Sequence, residues 1–185
     1  WNLDTGEEVR TLEGHSEAVF CLAISSDGQI LASGSSDNTI KIWNYQTGEI
    51  LQTISDFESE ILSMVISPDN QTLISGSGLL DGKIKIWNLK TGELIQTFPI
   101  AGRSLLSLGQ PLVSIESLAI NPQGTLLVSG GSDNKIRIWD LSTGKLIRTL
   151  YGHSDWVKAV TISPDGQTLV SGGGDADETV MIWRL

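Results

Sequence analysis

Two sets of side chains in this sequence contain the groups that a serine hydrolase uses. The sets are His15, Ser33 and Asp37, and His153, Ser171 and Asp177. In such enzymes the serine hydroxyl attacks the substrate, the histidine takes its proton and the aspartate orients the histidine. A catalytic site needs one such set at one pocket, whereas this chain carries two full sets and two partial ones. We therefore predict that the sets are structural and that this segment is not an enzyme.

Other sequence signals of chemistry are missing. The chain has no Gly-Lys-Ser/Thr phosphate loop, no His-Glu-x-x-His helix and no dinucleotide-binding glycine fingerprint. No cysteine and histidine cluster has the spacing of zinc ligands. The single cysteine, Cys21, rules out an intramolecular disulfide, and its apolar neighbours predict a small buried residue. We expect no cofactor and no metal.

The composition limits the possible partners. Lys and Arg number 12 against 22 Asp and Glu, and the resulting net charge of -10 argues against a nucleic acid partner. The chain has no run of the roughly 20 apolar residues that a membrane-spanning helix requires. A single cysteine favours a reducing compartment. We therefore expect a cytoplasmic protein whose partner is a protein or a peptide, with no role for a membrane.

A repeat organises the whole chain. The strand-like segment IKIWN at 40–44 recurs as IKIWN at 84–88, IRIWD at 136–140 and VMIWR at 180–184, and Trp1 with Asn2 is the remaining end of a fifth copy. The repeated tryptophans are 42, 44, 52 and 44 residues apart. This spacing is the period of a propeller blade, which carries four strands in about 40 to 45 residues.

Each period contains strand and turn signals in the same order. Apolar and polar residues alternate from Ile40 to Trp43, as in a strand with one buried face. Thr-Gly pairs follow each of the first four Trp strands, and Pro, Asp, Asn and Gly cluster before the second strand of each period. We predict strands a to d at 19–25, 30–34, 39–44 and 49–54, with later blades offset by the period. Residues 7–12 are predicted to be a lone d strand.

Gly14-His15, followed by Ser33, Asp37 and Trp43-Asn44, resembles the WD-repeat β-propeller family, and the resemblance covers essentially the whole chain. It implies an all-β propeller with four-stranded antiparallel blades, four of them in this chain. In this family His, Ser, Asp and Trp form a hydrogen-bonded tetrad inside each blade. The resemblance implies the tetrads His15, Ser33, Asp37 and Trp43, and His153, Ser171, Asp177 and Trp183, with Asp177 preferred to Asp175 for its six-residue spacing from Trp183.

The two middle blades depart from the family pattern. They retain Ser75, Asp81 and Trp87, and Ser129, Asp133 and Trp139. Phe57 stands at the first histidine position, and Pro111 is nearest to the second. A buried aspartate without its donor costs about 1 to 3 kcal/mol unless water or backbone replaces that donor. We therefore expect these blades to be looser.

The resemblance also implies a partner-binding rim, formed where each a strand begins and just before each bc-turn aspartate. The expected binding residues are Trp156, Lys158, Phe20, Leu62, Leu80, Glu60 and Glu116. Trp156 is the strongest candidate, because it is the one tryptophan outside the repeat series and aromatic anchors dominate binding hot spots. The alternative is that Trp156 only covers the edge of its own blade.

Two further features could serve binding. Residues 1–60 hold 11 acidic and 2 basic side chains, and Asp56, Glu58 and Glu60 lie in the loop that replaces Gly-His. This loop would attract a basic or mixed peptide, or it is simply a solvated face. Residues 99–111 contain ten residues beyond the 42-residue period. The leucines of this insertion could pack on the blade or offer a partner an apolar contact.

The two ends of the chain look complementary. Residues 1–15 supply a d strand, blades fall at about 16–56, 57–100, 112–152 and 153–185, and the last blade ends after its c strand. We expect the C-terminal four blades of a larger propeller. The next alternative is a homodimer that exchanges d strands in an eight-bladed ring, and the third is a closed four-bladed ring. A non-catalytic interaction scaffold is the expected function; the alternative is a regulatory or substrate-recruiting domain of a longer enzyme such as a kinase or NTPase.

Overall fold

The computed structural model describes residues 1–98, 100 and 112–185, and the regular structure in these residues is entirely β. Fifteen strands form four antiparallel sheets, named blades 1 to 4 in chain order. Blade 1 contains β1 (Val19–Ile24), β2 (Ile30–Ser35), β3 (Ile40–Asn44) and β4 (Ile50–Ile54). Blade 2 contains β5 (Ile61–Ile66), β6 (Thr72–Ser77), β7 (Ile84–Asn88) and β8 (Leu94–Phe98).

The other two sheets follow the same plan. Blade 3 contains β9 (Ile115–Ile120), β10 (Leu126–Gly131), β11 (Ile136–Asp140) and β12 (Leu146–Leu150). Blade 4 has three strands, β13 (Val157–Ile162), β14 (Thr168–Gly173) and β15 (Val180–Arg184). The part of the chain described here contains no helix with the length and apolar character to cross a membrane.

Tight turns join neighbouring strands in sequence order. The turn between the third and fourth strands uses glycine in the left-handed region, for example Gly48 at φ 79° and Gly92 at φ 67°. Side chains with a Cβ rarely adopt this conformation, so the repeated Thr-Gly pair fixes where β3 and β7 end. The strand bounds of blade 1 agree with the sequence prediction to within one residue at each end.

Residues 7–12, which were predicted to be a lone d strand, join none of the four described sheets. These residues pair with no strand in the described chain, and the first strand begins at Val19. A strand needs a partner for its backbone groups, and none of the pairings in the described part of the chain includes this segment. The Trp1 side chain, which would end the third strand of a preceding blade, is 77% exposed.

The hydrophobic core lies between neighbouring sheets. Ile40 and Ile42 of blade 1 pack in one cluster with Ile61, Met64 and Trp87 of blade 2. Equivalent clusters join blade 2 to blade 3 and blade 3 to blade 4. The repeated indoles of the first three blades are therefore almost completely buried, which confirms the propeller-like all-β architecture.

Candidate functional site

The Ser, His and Asp side chains of blade 1 form a connected hydrogen-bond chain. His15 Nδ1 lies 2.9 Å from Asp37 Oδ2, and His15 Nε2 lies 2.7 Å from Ser33 Oγ. The Trp43 indole N–H donates to the same Ser33 oxygen at 2.8 Å. If Nδ1–H of a neutral imidazole donates to the carboxylate, Nε2 is left to accept the Ser33 hydroxyl proton. These are the distances of a nucleophilic triad, so distances alone do not exclude catalysis.

Burial and the indole argue against a nucleophilic role for Ser33. Its residue surface is only 4% exposed, and its oxygen already accepts a hydrogen bond from Trp43. A nucleophile must have a substrate carbon within reach, and a hydroxyl that is buried and bonded to both His15 and Trp43 offers little access to one. The hydrogen bonds among His15, Ser33, Asp37 and Trp43 hold the loop that carries His15 against strands β2 and β3.

Blade 4 repeats this arrangement. His153 Nδ1 lies 2.5 Å from Asp177 Oδ2, His153 Nε2 lies 2.7 Å from Ser171 Oγ, and the Trp183 indole donates to Ser171 at 2.8 Å. The histidine thus contacts Asp177 and not Asp175 as the tetrad partner. Hydrogen bonds from Thr179 and His153 lower the pKa of Asp177 below its usual value.

In the middle blades the expectation of looseness rested on a missing donor, and that premise is wrong. In blade 2, Asp81 is fully buried, and the ammonium groups of Lys83 and Lys85 lie 2.7 and 3.2 Å from its oxygens. Lys85 Nζ also lies 4.5 Å from the centre of the Phe57 ring, which stands where blade 1 has histidine. A cation with an aromatic face beside it replaces the imidazole.

Blade 3 uses arginine for the same purpose. Arg137 Nη1 and Nη2 donate to the two oxygens of Asp133 at 3.0 and 2.5 Å, and Lys135 Nζ lies 3.6 Å away. Burial acts to raise the pKa of Asp133, but the hydrogen bonds and charge of Arg137 outweigh it and lower the pKa. The paired guanidinium therefore holds an ionised carboxylate inside the blade. Pro111, the residue nearest to the missing histidine, lies outside the described residues.

In blades 2 and 3, one sequence position of the repeat supplies the cation that replaces histidine as the donor to the turn aspartate. This position was not identified from the sequence. It lies two residues before each repeated tryptophan and holds Lys41, Lys85, Arg137 and Met181. The cation contacts aspartate in the blades without histidine, whereas Lys41 Nζ contacts Thr53 Oγ1 at 3.3 Å. The i,i+4 spacing from the turn aspartate to this cation could have indicated the pair.

On the expected binding rim, three predicted residues are brought together. Lys158 Nζ lies 4.2 Å from the Trp156 ring centre and 2.8 Å from Glu116 Oε2. The contact with Glu116 crosses from blade 4 to blade 3 and fixes the lysine above the indole. Trp156 itself remains 39% exposed. The result is an aromatic surface whose position is set by charges on two blades.

The remaining predicted rim residues lie on other blades. Phe20 of blade 1 is 53% exposed, and Leu80, which follows β6 of blade 2, is 63% exposed. Leu62 and Glu60 are half-buried, and Glu60 Oε2 accepts a hydrogen bond from Ser59. A patch that included these residues and Trp156 would span blades 1, 2 and 4. The insertion at 99–111 lies outside the described residues, apart from Ile100, which is buried.

Cys21 and the acidic side chains form no further site in the described part of the chain. The Cys21 Sγ atom lies 3.4 Å from the Ile61 carbonyl oxygen at the contact between blades 1 and 2. Burial raises the pKa of this thiol to about 12, so it is a neutral, weakly nucleophilic group. Among the described residues no three His, Cys, Asp or Glu side chains cluster as they would around a metal ion.

Comparison with known proteins agrees with this geometry. The WD domain, G-beta repeat, matches residues 6–44, 48–88, 102–140 and 144–184. The chain is also similar to a probable serine/threonine-protein kinase, PkwA, from Thermomonospora curvata, with 44% identity over 43 residues. That match covers 23% of this chain and 6% of the kinase. WD-repeat domains are generally non-catalytic and mediate contacts between proteins. Because the family match extends over most of its length and recurs in every blade, the chain belongs to the WD-repeat family.

Proposed function

We propose that this chain is a non-catalytic interaction scaffold that binds a peptide or a protein domain on the rim where the first strands of the blades begin. The observation that carries the proposal is the exposed Trp156 indole held beneath Lys158, which Glu116 fixes from the neighbouring blade. An ordered aromatic side chain offers contact area without a large loss of side-chain entropy on binding. The Ser, His and Asp sets join the strands within blades 1 and 4, so the rim is the surface that remains for a partner.

Affinity capture with two matched variants tests this proposal. Trp156→Ala removes the rim indole, and Tyr151→Ala removes an aromatic ring that is 71% exposed just after β12. Proteins that the unmodified chain captures should be lost with Trp156→Ala, by about tenfold or more in affinity for a hot-spot residue, and retained with Tyr151→Ala. Equal capture by both variants, at unchanged melting temperature, would move the binding site away from Trp156.

A second candidate function is a regulatory or recruiting domain of a longer enzyme. The similarity to a probable protein kinase favours it, although the shared segment is a small part of that protein. The sequence of the gene around this segment distinguishes the two candidates, because a kinase domain would carry its own glycine-rich loop and catalytic-loop motifs. Both candidates keep the rim as the contact surface.

A further inference from the structure

The contact between blades 2 and 3 differs from the contact between blades 1 and 2 in how well one buried leucine is covered. In blade 1 the second strand begins with Ile30, which packs against the hydrophobic cluster that contains Leu89 of blade 2. At the next contact the equivalent residues, by strand register and backbone hydrogen bonding, are Thr72 and Leu141. Leu89 is 6% exposed, whereas Leu141 is only half-buried. The shorter threonine therefore leaves the leucine of the next blade less covered.

The turns between the first and second strands are bridged at one of these contacts and not at the other. Asn70 Oδ1 of blade 2 accepts hydrogen bonds from Ser26 of blade 1, from the backbone N–H at 2.9 Å and from Oγ at 3.0 Å. The equivalent positions at the next contact hold Gly124 and Pro68, neither of which has a polar side chain. A Cβ added to Gly124 would lie 3.5 Å from Pro68. The two turns are therefore neighbours, but no side-chain bridge joins them.

A groove of about 520 Å³ lies between blades 2 and 3 as a result. Its volume is in the range of ligand-binding clefts. Ile86, Ile95 and Leu141 form its apolar surface, and Ile95 is 55% exposed. The groove is at the end of the blades where the first strands finish, whereas Trp156 lies where a first strand begins. The groove and the proposed rim are therefore at opposite ends of the blades.

The charge of the groove is negative. Asp69 lines it, and Asp69 Oδ1 accepts hydrogen bonds from Ser67 Oγ at 2.5 Å and from the Gln71 N–H at 3.0 Å. These bonds lower the pKa of Asp69 below its usual value, so the carboxylate is ionised at neutral pH. On the other side, the lining residue Ser142 donates to Asp140 Oδ1 at 2.7 Å. Because none of the described residues that line the groove is a lysine or an arginine, its charge favours a basic partner.

The strand beside the groove has an open edge. In the described chain β8 pairs with β7 and is the last strand of its sheet. Alternate residues of such a strand direct their N–H and C=O groups away from the sheet. An extended peptide can pair with an edge of this kind and place alternate side chains in a neighbouring pocket. The shape of the site therefore fits an extended peptide.

We propose that the groove between blades 2 and 3 binds an extended segment of a partner protein that carries an aliphatic residue and, close to it, a lysine or an arginine. The backbone of the segment pairs with the open edge of β8. Its aliphatic side chain packs on Ile95 and Leu141, and its cation contacts Asp69. This site is independent of the rim that carries Trp156, so the blades offer a partner surface at each end.

Selection from a random seven-residue peptide library displayed on phage tests this site. The library is selected on the unmodified chain and on Thr72→Ile, which gives blade 2 the residue that blade 1 has at this position. Thr168→Ile is the matched control, because Thr168 begins the second strand of blade 4 and lies outside the groove. Peptides that bind the unmodified chain and Thr168→Ile, but not Thr72→Ile, should share an aliphatic residue and a lysine or an arginine.

Fluorescence anisotropy of a labelled synthetic peptide with the selected sequence measures the affinity. Thr72→Ile should weaken binding by about tenfold or more, because it fills the groove. Asp69→Asn should weaken binding by about two- to fivefold, as for an exposed ion pair. Asp165→Asn is its matched control, since Asp165 accepts the same two bonds in blade 4, from Ser163 Oγ at 2.5 Å and the Gln167 N–H at 3.0 Å. Asp165→Asn and Trp156→Ala should leave the affinity unchanged.

A second variant closes the groove in a different way. Pro68→Ser combined with Gly124→Asn copies the bridge between Ser26 and Asn70, and asparagine already adopts the required left-handed conformation at position 70, with φ 58°. This variant should also lose the peptide at an unchanged melting temperature.

Hydrogen exchange identifies the strand that the peptide joins. Bound peptide should slow amide exchange in β8 and leave the equivalent β12 unchanged. A selection in which no peptide depends on Thr72, selected sequences that carry acidic residues in place of basic ones, full affinity in both groove-closing variants, or binding that leaves exchange in β8 unaltered would each overturn the inference.

Discussion

Arg137→Met removes the cation that replaces histidine in blade 3. Methionine is chosen because Met181 occupies the same position in blade 4 and fits beside the strand. The Arg137 and Asp133 side chains are 5% and 11% exposed, so the variant leaves a buried carboxylate with only Lys135, 3.6 Å away, as a cation. Removing one partner of a buried ion pair lowers the free energy of unfolding by about 3 to 5 kcal/mol. Because Lys135 remains, we expect a loss at the lower end, about 3 kcal/mol.

The matched control is Lys41→Met in blade 1. Lys41 contacts Thr53 there, and His15 already holds Asp37, so we expect a loss below about 1 kcal/mol. Urea unfolding followed by tryptophan fluorescence measures the free energy of unfolding of each variant. Equal losses at the two positions would show that the Arg137–Asp133 pair does not replace the histidine.

The pH dependence supplies a second readout for the same pair. In the unmodified protein the pKa of Asp133 is lowered, so its contribution is present at neutral pH and is lost as the pH falls below about 4. In Arg137→Met the effect of burial dominates and raises this pKa, so protonation relieves the penalty as the pH falls through the raised value. The loss should therefore be smaller near about pH 4.5 than near about pH 7. A loss that does not change with pH would refute the electrostatic explanation.

Two further predictions concern other buried groups. Ser33→Ala should lower the free energy of unfolding by about 2 to 3 kcal/mol and Ser75→Ala by about 1 kcal/mol. The reason is that Ser33 bonds to both an indole and a histidine, whereas blade 2 has Phe57 in place of the histidine. Urea unfolding of both variants measures the difference, and equal losses of stability would contradict it. Cys21 in the folded chain should react with a thiol reagent at about pH 8 far more slowly than in the urea-unfolded chain, because burial raises its pKa; equal rates would show that the thiol is accessible.

The sequence allowed the strands to be predicted closely because each one is defined by its own neighbours in the chain. Alternation from Ile40 to Trp43 and the glycine at position 48 locate β3 and its turn without tertiary information. Residues 7–12 carry the same local pattern yet form no strand, because strand pairing depends on another segment. The donors in blades 2 and 3 could not be assigned from the family pattern either, since that pattern specifies the histidine and not its substitute.

The cations that hold the aspartates of blades 2 and 3 also remove a constraint on the segments that precede the first strand of these blades. In blades 1 and 4 the segment before the first strand must place a histidine within hydrogen-bond distance of the turn aspartate. This contact constrains the length and path of that segment. In blade 3 the equivalent aspartate is held by Arg137, from within the sheet itself. The preceding connection does not have to position a histidine, and its blade is the one whose tryptophan spacing is ten residues longer than the 42-residue period. Because the positive charge lies on β11, the contact that holds Asp133 does not depend on the length or path of the connection before β9.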